Sequence, residues 1–335
     1  MLTTSPKAWL SLLAVLPALL GGCHEQADES ASKAAVSAAP ATLGPAPKLE
    51  RTVRIGYQKI GAPFLLKSRS QDLDKHLAEK GAKAEWKEFK HGPGVLEAIK
   101  AKEVDVGYVG ETPPVFAQAG GVDFVYVASD PPAPKAEALI VRKDSPIKSL
   151  RDLKGKKVAL NRGSNVHYLL VRALESAKLT LKDIEVVYLA PGDARPAYDS
   201  GKVDAWVIWD PFLAAAENAG SRQLANGEGL VDNRLFYVAR RQFAQDEPEL
   251  LRATLDEFQA LSNWESKNAE EASKILAASS GVAYEALLLT EQRHAYGVLP
   301  VTDAVLDTQQ KIADSFSKLE LIPKEIKTRD AFLPA

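Results

Sequence analysis

One cysteine, Cys23, stands in 335 residues, so the chain can form neither an internal disulfide nor a thiolate metal cage. It also lacks an excess of either charge: 42 Lys and Arg face 44 Asp and Glu, a net −2. Nucleic-acid binding draws on clustered surplus Lys and Arg against phosphate, and no such surplus exists. The sequence has no Gly-x-x-x-x-Gly-Lys-Ser/Thr loop, no Gly-x-Gly-x-x-Gly fingerprint, no Gly-x-Ser-x-Gly elbow and no His-Glu-x-x-His helix. The common signatures of nucleotide binding, serine hydrolysis and zinc proteolysis are therefore missing. Five histidines (His24, His76, His91, His167, His294) show no metal-ligand spacing. What is present is an ordinary globular composition, 46% apolar and 26% charged, in a length that suits about two domains.

Residues 1–22 carry one basic residue, Lys7, then a largely apolar stretch from Ala8 to Leu20. It is shorter than the ~20 apolar residues a bilayer span needs and reads as an export signal. It ends in Leu20-Gly21-Gly22-Cys23, which resembles the lipobox of bacterial lipoproteins; the resemblance implies a lipid on Cys23. An ordinary secretory signal with an incidental cysteine is the alternative. Residues 23–50, rich in Ala, Ser and Pro, lack apolar periodicity and read as a flexible tether. The expectation is an exported, lipid-anchored chain at the periplasmic face of a membrane or at the cell surface.

From Val53 onward, short β-type runs alternate with helical patterns, the signature of α/β architecture. One series predicts strands over 52–57, 84–89, 105–109 and 123–128, with helices over 63–79, 93–101 and 113–119. A second predicts strands over 156–160, 184–189, 204–208 and 235–239, with helices over 165–177, 193–200 and 211–219. Beyond Pro248 the pattern is helical, with Leu250, Leu251, Leu255, Phe258 and Leu261 at helix spacing. Two α/β lobes follow, over 51–138 with 240–335 and over 139–239. The chain is expected to cross twice, near 138–141 and near 238–240, which makes a hinge. Ligands of open α/β sheets lie beyond the carboxyl ends of strands, so the cleft should gather those loops.

Two of these loops have the same form. Gly110-Glu111-Thr112-Pro113-Pro114 and Asn161-Arg162-Gly163-Ser164-Asn165 each follow a strand and open a helix, with Thr112 and Ser164 as candidate caps. A helix beginning offers unpaired N–H groups and partial positive charge, which suits an oxyanion; Thr112 and Ser164 as plain caps are the alternative. Gln58 follows the first strand and offers an amide, or is simply solvated. Trp209, nearer the carboxyl end of its strand than Trp206, is placed to wall an apolar ligand part, although either can be core. Asp210 before Pro211 is in N-cap context, or accepts from a donor on the ligand. Asp130-Pro131-Pro132-Ala133-Pro134-Lys135 reads as the stiff mouth of the cleft or as a linker. His167 reads as a helix-surface or rim residue.

At these loops the chain resembles the aliphatic sulfonate-binding proteins of ATP-binding cassette importers, within the wider sulfonate, taurine and nitrate receptor family. The resemblance runs through Ile55-Gly56-Tyr57-Gln58-Lys59, Gly110-Glu111-Thr112-Pro113-Pro114-Val115-Phe116, Pro131-Pro132-Ala133-Pro134-Lys135, Gly163-Ser164-Asn165-Val166-His167-Tyr168 and Asp204-Ala205-Trp206-Val207-Ile208-Trp209-Asp210-Pro211-Phe212. It implies a type II periplasmic binding fold and a receptor, not an enzyme, that captures alkanesulfonates as a sulfur source. It places Gln58, Gly110, Glu111, Thr112, Gly163, Ser164, Asn165, Trp209 and Asp210 at family cleft positions. It implies permease subunits as partners, a monomer and no cofactor. Ile60 departs from the family, which often has an aromatic there. Receptors for taurine or a thiamine pyrimidine are the nearest rivals. A pyrimidine synthase on the same scaffold would need a Cys-rich segment that this chain lacks.

Overall fold

A computed structural model describes residues 51–333. The expected export signal over 1–22, the lipidation site Cys23 and the tether over 23–50 lie outside the described residues. The strands are β1 (Arg51–Tyr57), β2 (Ala82–Glu88), β3 (Val106–Gly110), β4 (Phe124–Ser129), β5 (Glu137–Val141), β6 (Lys157–Leu160), β7 (Glu185–Tyr188), β8 (Ala205–Trp209), β9 (Arg222–Asn226) and β10 (Leu235–Arg240). The early helices are α1 (Gly61–Ser68), α2 (Gln71–Glu79), α3 (Gly92–Lys100) and α4 (Thr112–Ala119). Next come α5 (Asn165–Ser176), α6 (Pro191–Asp199) and α7 (Phe212–Asn218). The tail adds α8 (Arg241–Asp246), α9 (Pro248–Glu265), α10 (Ala269–Ser280), α11 (Tyr284–Arg293) and α12 (Asp303–Lys318).

Two five-stranded sheets result, ordered β2-β1-β3-β10-β4 and β7-β6-β8-β5-β9. They share one plan. In each, the three strands at one side run parallel, and the fourth position is filled by the first strand after the chain arrives from the other sheet. That strand is β10 in the first sheet and β5 in the second, each antiparallel to both neighbours. The crossings occupy residues 130–136 and 227–234, between the strands they connect.

This corrects the expected layout in two places. The run over 235–239 is a strand of the first sheet, not the second, and 138–141 is the body of a second-sheet strand rather than a crossing. Both strands are buried on both faces, Leu139, Ile140, Tyr237 and Val238 being wholly inside. They read as unbroken apolar runs, which carry no alternation and no mark of which sheet they enter. β9 is half-buried along its length and went unread. The expected helix over 63–79 is two, parted at 69–70, where the Arg69 guanidinium lies 4.5 Å from the Trp264 ring centre.

The helical tail covers the first sheet. Leu250, Leu251, Phe258 and Leu261 of α9 join the core that holds Val53 and Ile55 of β1. The spacing read from the sequence is thus the buried stripe of α9.

Candidate functional site

The carboxyl ends of β1, β3, β6 and β8 deliver their loops to a common cavity of about 60 Å³. Of the sequence-predicted residues, Gln58, Gly110, Ser164, Asn165, Trp209 and Asp210 line it. Glu111, Thr112 and Gly163 do not.

Thr112 is the first residue of α4 rather than its cap, and its buried Oγ1 has no partner among the described residues. Pro113 and Pro114 follow. Proline is well suited to a helix start, but here it removes two of the first three amide donors. Thr112 N–H is spent on Asn165 Oδ1, at 3.2 Å. The expected pair of donor-rich helix beginnings is therefore present on one side only. Glu111 turns away from the cavity: its Oε2 accepts the N–H of Arg234 at 2.9 Å, and burial pushes its carboxyl up to about 7.

On the other side, Ser164 is the N-cap of α5, yet its Oγ donates to Asn161 O at 2.7 Å instead of capping the turn. In the first turn of α5 the His167 N–H donates to Ser164 O at 2.9 Å, while the N–H groups of Asn165 and Val166 have no acceptor within the helix. Gly163 makes the turn, with φ +71°, a conformation that favours glycine. Its N–H donates to His167 Nδ1 at 3.3 Å. His167 is fully buried, not at the rim, and packs beside Phe116 and Phe316. Burial lowers it to about 4, so at neutral pH it is uncharged and can accept.

Asn165 is where the two sides touch. A Cβ on Gly110 would fall 1.9 Å from Asn165 Oδ1, so this approach requires glycine. Asn165 Nδ2 donates to Asn233 Oδ1 at 2.7 Å, and Asn233 Nδ2 donates to Ala133 O at 2.9 Å. Asn233 lies in the second crossing and Ala133 in the first.

Gln58 donates through Nε2 to Tyr108 O at 3.0 Å, which fixes its amide on the wall instead of leaving it solvated. Trp206 is buried against Tyr198, their ring centres 5.7 Å apart, while Trp209 reaches the cavity. Asp210 accepts the N–H of Ala214 through Oδ1 at 2.9 Å, holding the start of α7, and also lines the cavity. Burial raises its carboxyl to about 7 even with Arg293 beside it, at 3.4 Å.

Sequence reasoning missed Asn233, Thr290 and Glu291 of α11, and His294 just after that helix, all of which line the cavity. Nothing local in the sequence marks the end of that helix as a site. Ile60, the family departure, is also on the wall. Among the described residues no group of three or more His, Cys, Asp or Glu is placed to hold a metal ion. No described helix is long and apolar enough to cross a membrane.

The family model described as NMT1/THI5 like matches residues 77–272. An aliphatic sulfonates-binding protein of Escherichia coli strain K12 is 40% identical over 279 residues, covering 83% of this chain and 87% of that protein. Among solved structures, the alkanesulfonate-binding protein SsuA from Xanthomonas axonopodis pv. citri, bound to MOPS, matches with a TM-score of 0.81. It is 35% identical, over 87% of this chain and 99% of its own. The periplasmic aliphatic sulphonate binding protein SsuA from Escherichia coli matches with a TM-score of 0.78 and 38% identity, over 85% of this chain and 92% of its own.

Proposed function

This chain belongs to the family of aliphatic sulfonate-binding proteins, and on that premise we propose how its cleft does the work. The protein captures aliphatic sulfonates in the periplasm as the binding component of an ATP-binding cassette importer. A sulfonate spreads one negative charge over three acceptor oxygens and has no proton at neutral pH, so it calls for donors. The free amides at the start of α5 and the second N–H of the Gln58 and Asn165 side chains hold the head, and the Ser164 hydroxyl turns to it from Asn161 O. Trp209 covers the carbon tail. Glu111, Thr112 and Gly163 act from behind by fixing the two loops that meet at Asn165.

The observation that carries this reading is the meeting of Gly110 and Thr112 with Asn165 at one cavity, because it lets a single small anion touch both lobes. Contacts made by both lobes favour the closed form, by as much as the ligand prefers it. The permease reads that closure, and the ligand leaves chemically unchanged. Cys23 carries a lipid that keeps the receptor at the membrane, and mass spectrometry of the mature protein, with Cys23→Ser as the control, tests this.

Titration calorimetry against methanesulfonate, longer alkanesulfonates, sulfate and a thiamine pyrimidine tests the ligand. Heat with sulfonates is expected, and Ser164→Ala should weaken every sulfonate by a similar factor. Heat with the pyrimidine and none with sulfonates would overturn the reading.

A further inference from the structure

Among the described residues that line the cavity there is no lysine or arginine, and two of them, Asp210 and Glu291, are acids. His294, on the same wall, adds no charge, since burial lowers it to about 4. A cavity that receives an anion is thus walled by carboxyl groups, and each one that stays ionised repels the ligand across a space with little water to screen it.

The two acids are placed differently. Glu291 accepts the Tyr296 hydroxyl through Oε2 at 2.7 Å and pairs with Glu265, which burial and Glu291 itself keep protonated. Donors therefore hold its charge whether or not the cavity is filled. Asp210 accepts Ala214 N–H at 2.9 Å and Arg293 at 3.4 Å, both through Oδ1, while its buried Oδ2 has no partner among the described residues. The charged groups that act on it oppose each other: Arg293 of α11 favours its ionised form, and Glu217 of α7, which holds the same guanidinium at 2.6 Å, disfavours it. From β5, Glu137 stands opposite Trp209, but it is fully buried and pushed well above the usual carboxyl range, so it brings no charge at neutral pH. Asp210 itself stands at about 7, and an anion brought beside it raises that further.

We propose that the receptor binds its sulfonate together with one proton, which is bonded to Asp210 Oδ2 in the complex. The proposal rests on the sulfonate reading of the cleft and adds a second, coupled ligand. The sulfonate carries no proton of its own, so a buffer acid in the solvent supplies it: an O–H bond forms at Oδ2 and the buffer base is left behind. Below pH 7 Asp210 already holds a proton in the free receptor, and affinity does not depend on pH. Above pH 7 the free receptor has released that proton and must recover it on binding, so affinity falls as pH rises.

The test is titration calorimetry of butane-1-sulfonate on the purified mature protein, in phosphate and in Tris, two buffers of different ionisation enthalpy. At pH 8 the apparent enthalpies should differ by the uptake of about 0.9 proton, and affinity should be about eightfold lower than at pH 6.5, as a carboxyl group at about 7 that must be neutral in the complex requires. Asp210→Asn keeps an acceptor for Ala214 N–H and carries no charge. It should show no difference between buffers and an affinity within about twofold at the two pH values. In the unmodified protein, carrying carbon-13 at its aspartate carboxyl groups, infrared difference spectra at pH 8 should show one aspartate carboxylate band replaced by a carboxylic acid band on binding. Equal enthalpies in the two buffers for the unmodified protein overturn the inference and leave the sulfonate reading standing. An uptake that persists in Asp210→Asn, or an unchanged aspartate band, overturns it as well. No binding of butane-1-sulfonate at pH 6.5 overturns both.

Discussion

Asn165 donates its carboxamide N–H to the carboxamide oxygen of Asn233 at 2.7 Å. Through this contact the first turn of α5 is tied to the second crossing, and Asn233 passes the tie to Ala133 in the first. The same Asn165 side chain accepts Thr112 N–H from the other lobe. One amide therefore joins both lobes and both crossings at the edge of the cavity.

Gly110→Ala would place a methyl group inside the space of Asn165 Oδ1. It should cost at least about tenfold in affinity for every alkanesulfonate, since the lobes can no longer close. Asn165→Ala removes the obstacle together with its hydrogen bonds. In a double-mutant cycle read by calorimetry, the Gly110→Ala loss should therefore be smaller in the Asn165→Ala background. Equal losses in both backgrounds would refute the contact.

Trp209→Ala should act through the tail. Each buried methylene contributes about 0.8 kcal/mol, and the indole is the large aromatic wall offered to it. The affinity loss should be slight for methanesulfonate and grow steadily to hexanesulfonate. A loss independent of chain length would mean that Trp209 contacts the head.

Arg293 neutralises Asp210 and Glu217 from a partly buried position. Arg293→Met keeps much of the apolar stem but leaves Glu217 without its cation and takes from Asp210 the charge that favours its ionised form. A destabilisation of about 3 kcal/mol, read from urea unfolding, is the expected result.

Stability should fall as pH rises from about 6.5 to 8. Burial raises Glu111 and Asp210 to about 7 and Asp130 to about 8, and pushes Glu137 well above the usual carboxyl range. Above its ordinary value each holds a proton in the folded chain that the unfolded chain has released, so folding favours lower pH in that window. His167 and His294, lowered to about 4, work in the opposite sense, but their contribution is lost only as pH falls below about 6.5. Each raised acid contributes a slope of about 1.4 kcal/mol per pH unit until it ionises. Glu137→Gln should flatten the decline in urea midpoint, and a midpoint that rises from pH 6.5 to 8 would contradict the assignment.

Much of this was readable from local pattern. Strand-then-small-residue-then-helix marked the loops at Gly110 and Ser164, and helix spacing marked the buried stripe of α9. The strands β5 and β10 were harder, because a strand buried on both faces carries no alternation and its sheet is decided by partners far away in sequence. The wall from α11 was invisible for a related reason. Glu291 and His294 sit at the end of an unremarkable helix and just past it, and only the folding of the tail against the first sheet brings them to the loops of β1 and β8. Thr112 was misjudged by one position, and the two prolines after it read as structural punctuation although they also subtract donors.

That subtraction gives the receptor a direction. With Pro113 and Pro114 at its head, α4 has little main-chain attraction for an anion, whereas α5 keeps the amides of Asn165 and Val166 beside Ser164. The unbonded main-chain donors of the cleft thus lie mainly on the half built on the second sheet. Two ring-shaped side chains, Pro113 and Pro114, are what make the opposed helix starts unequal.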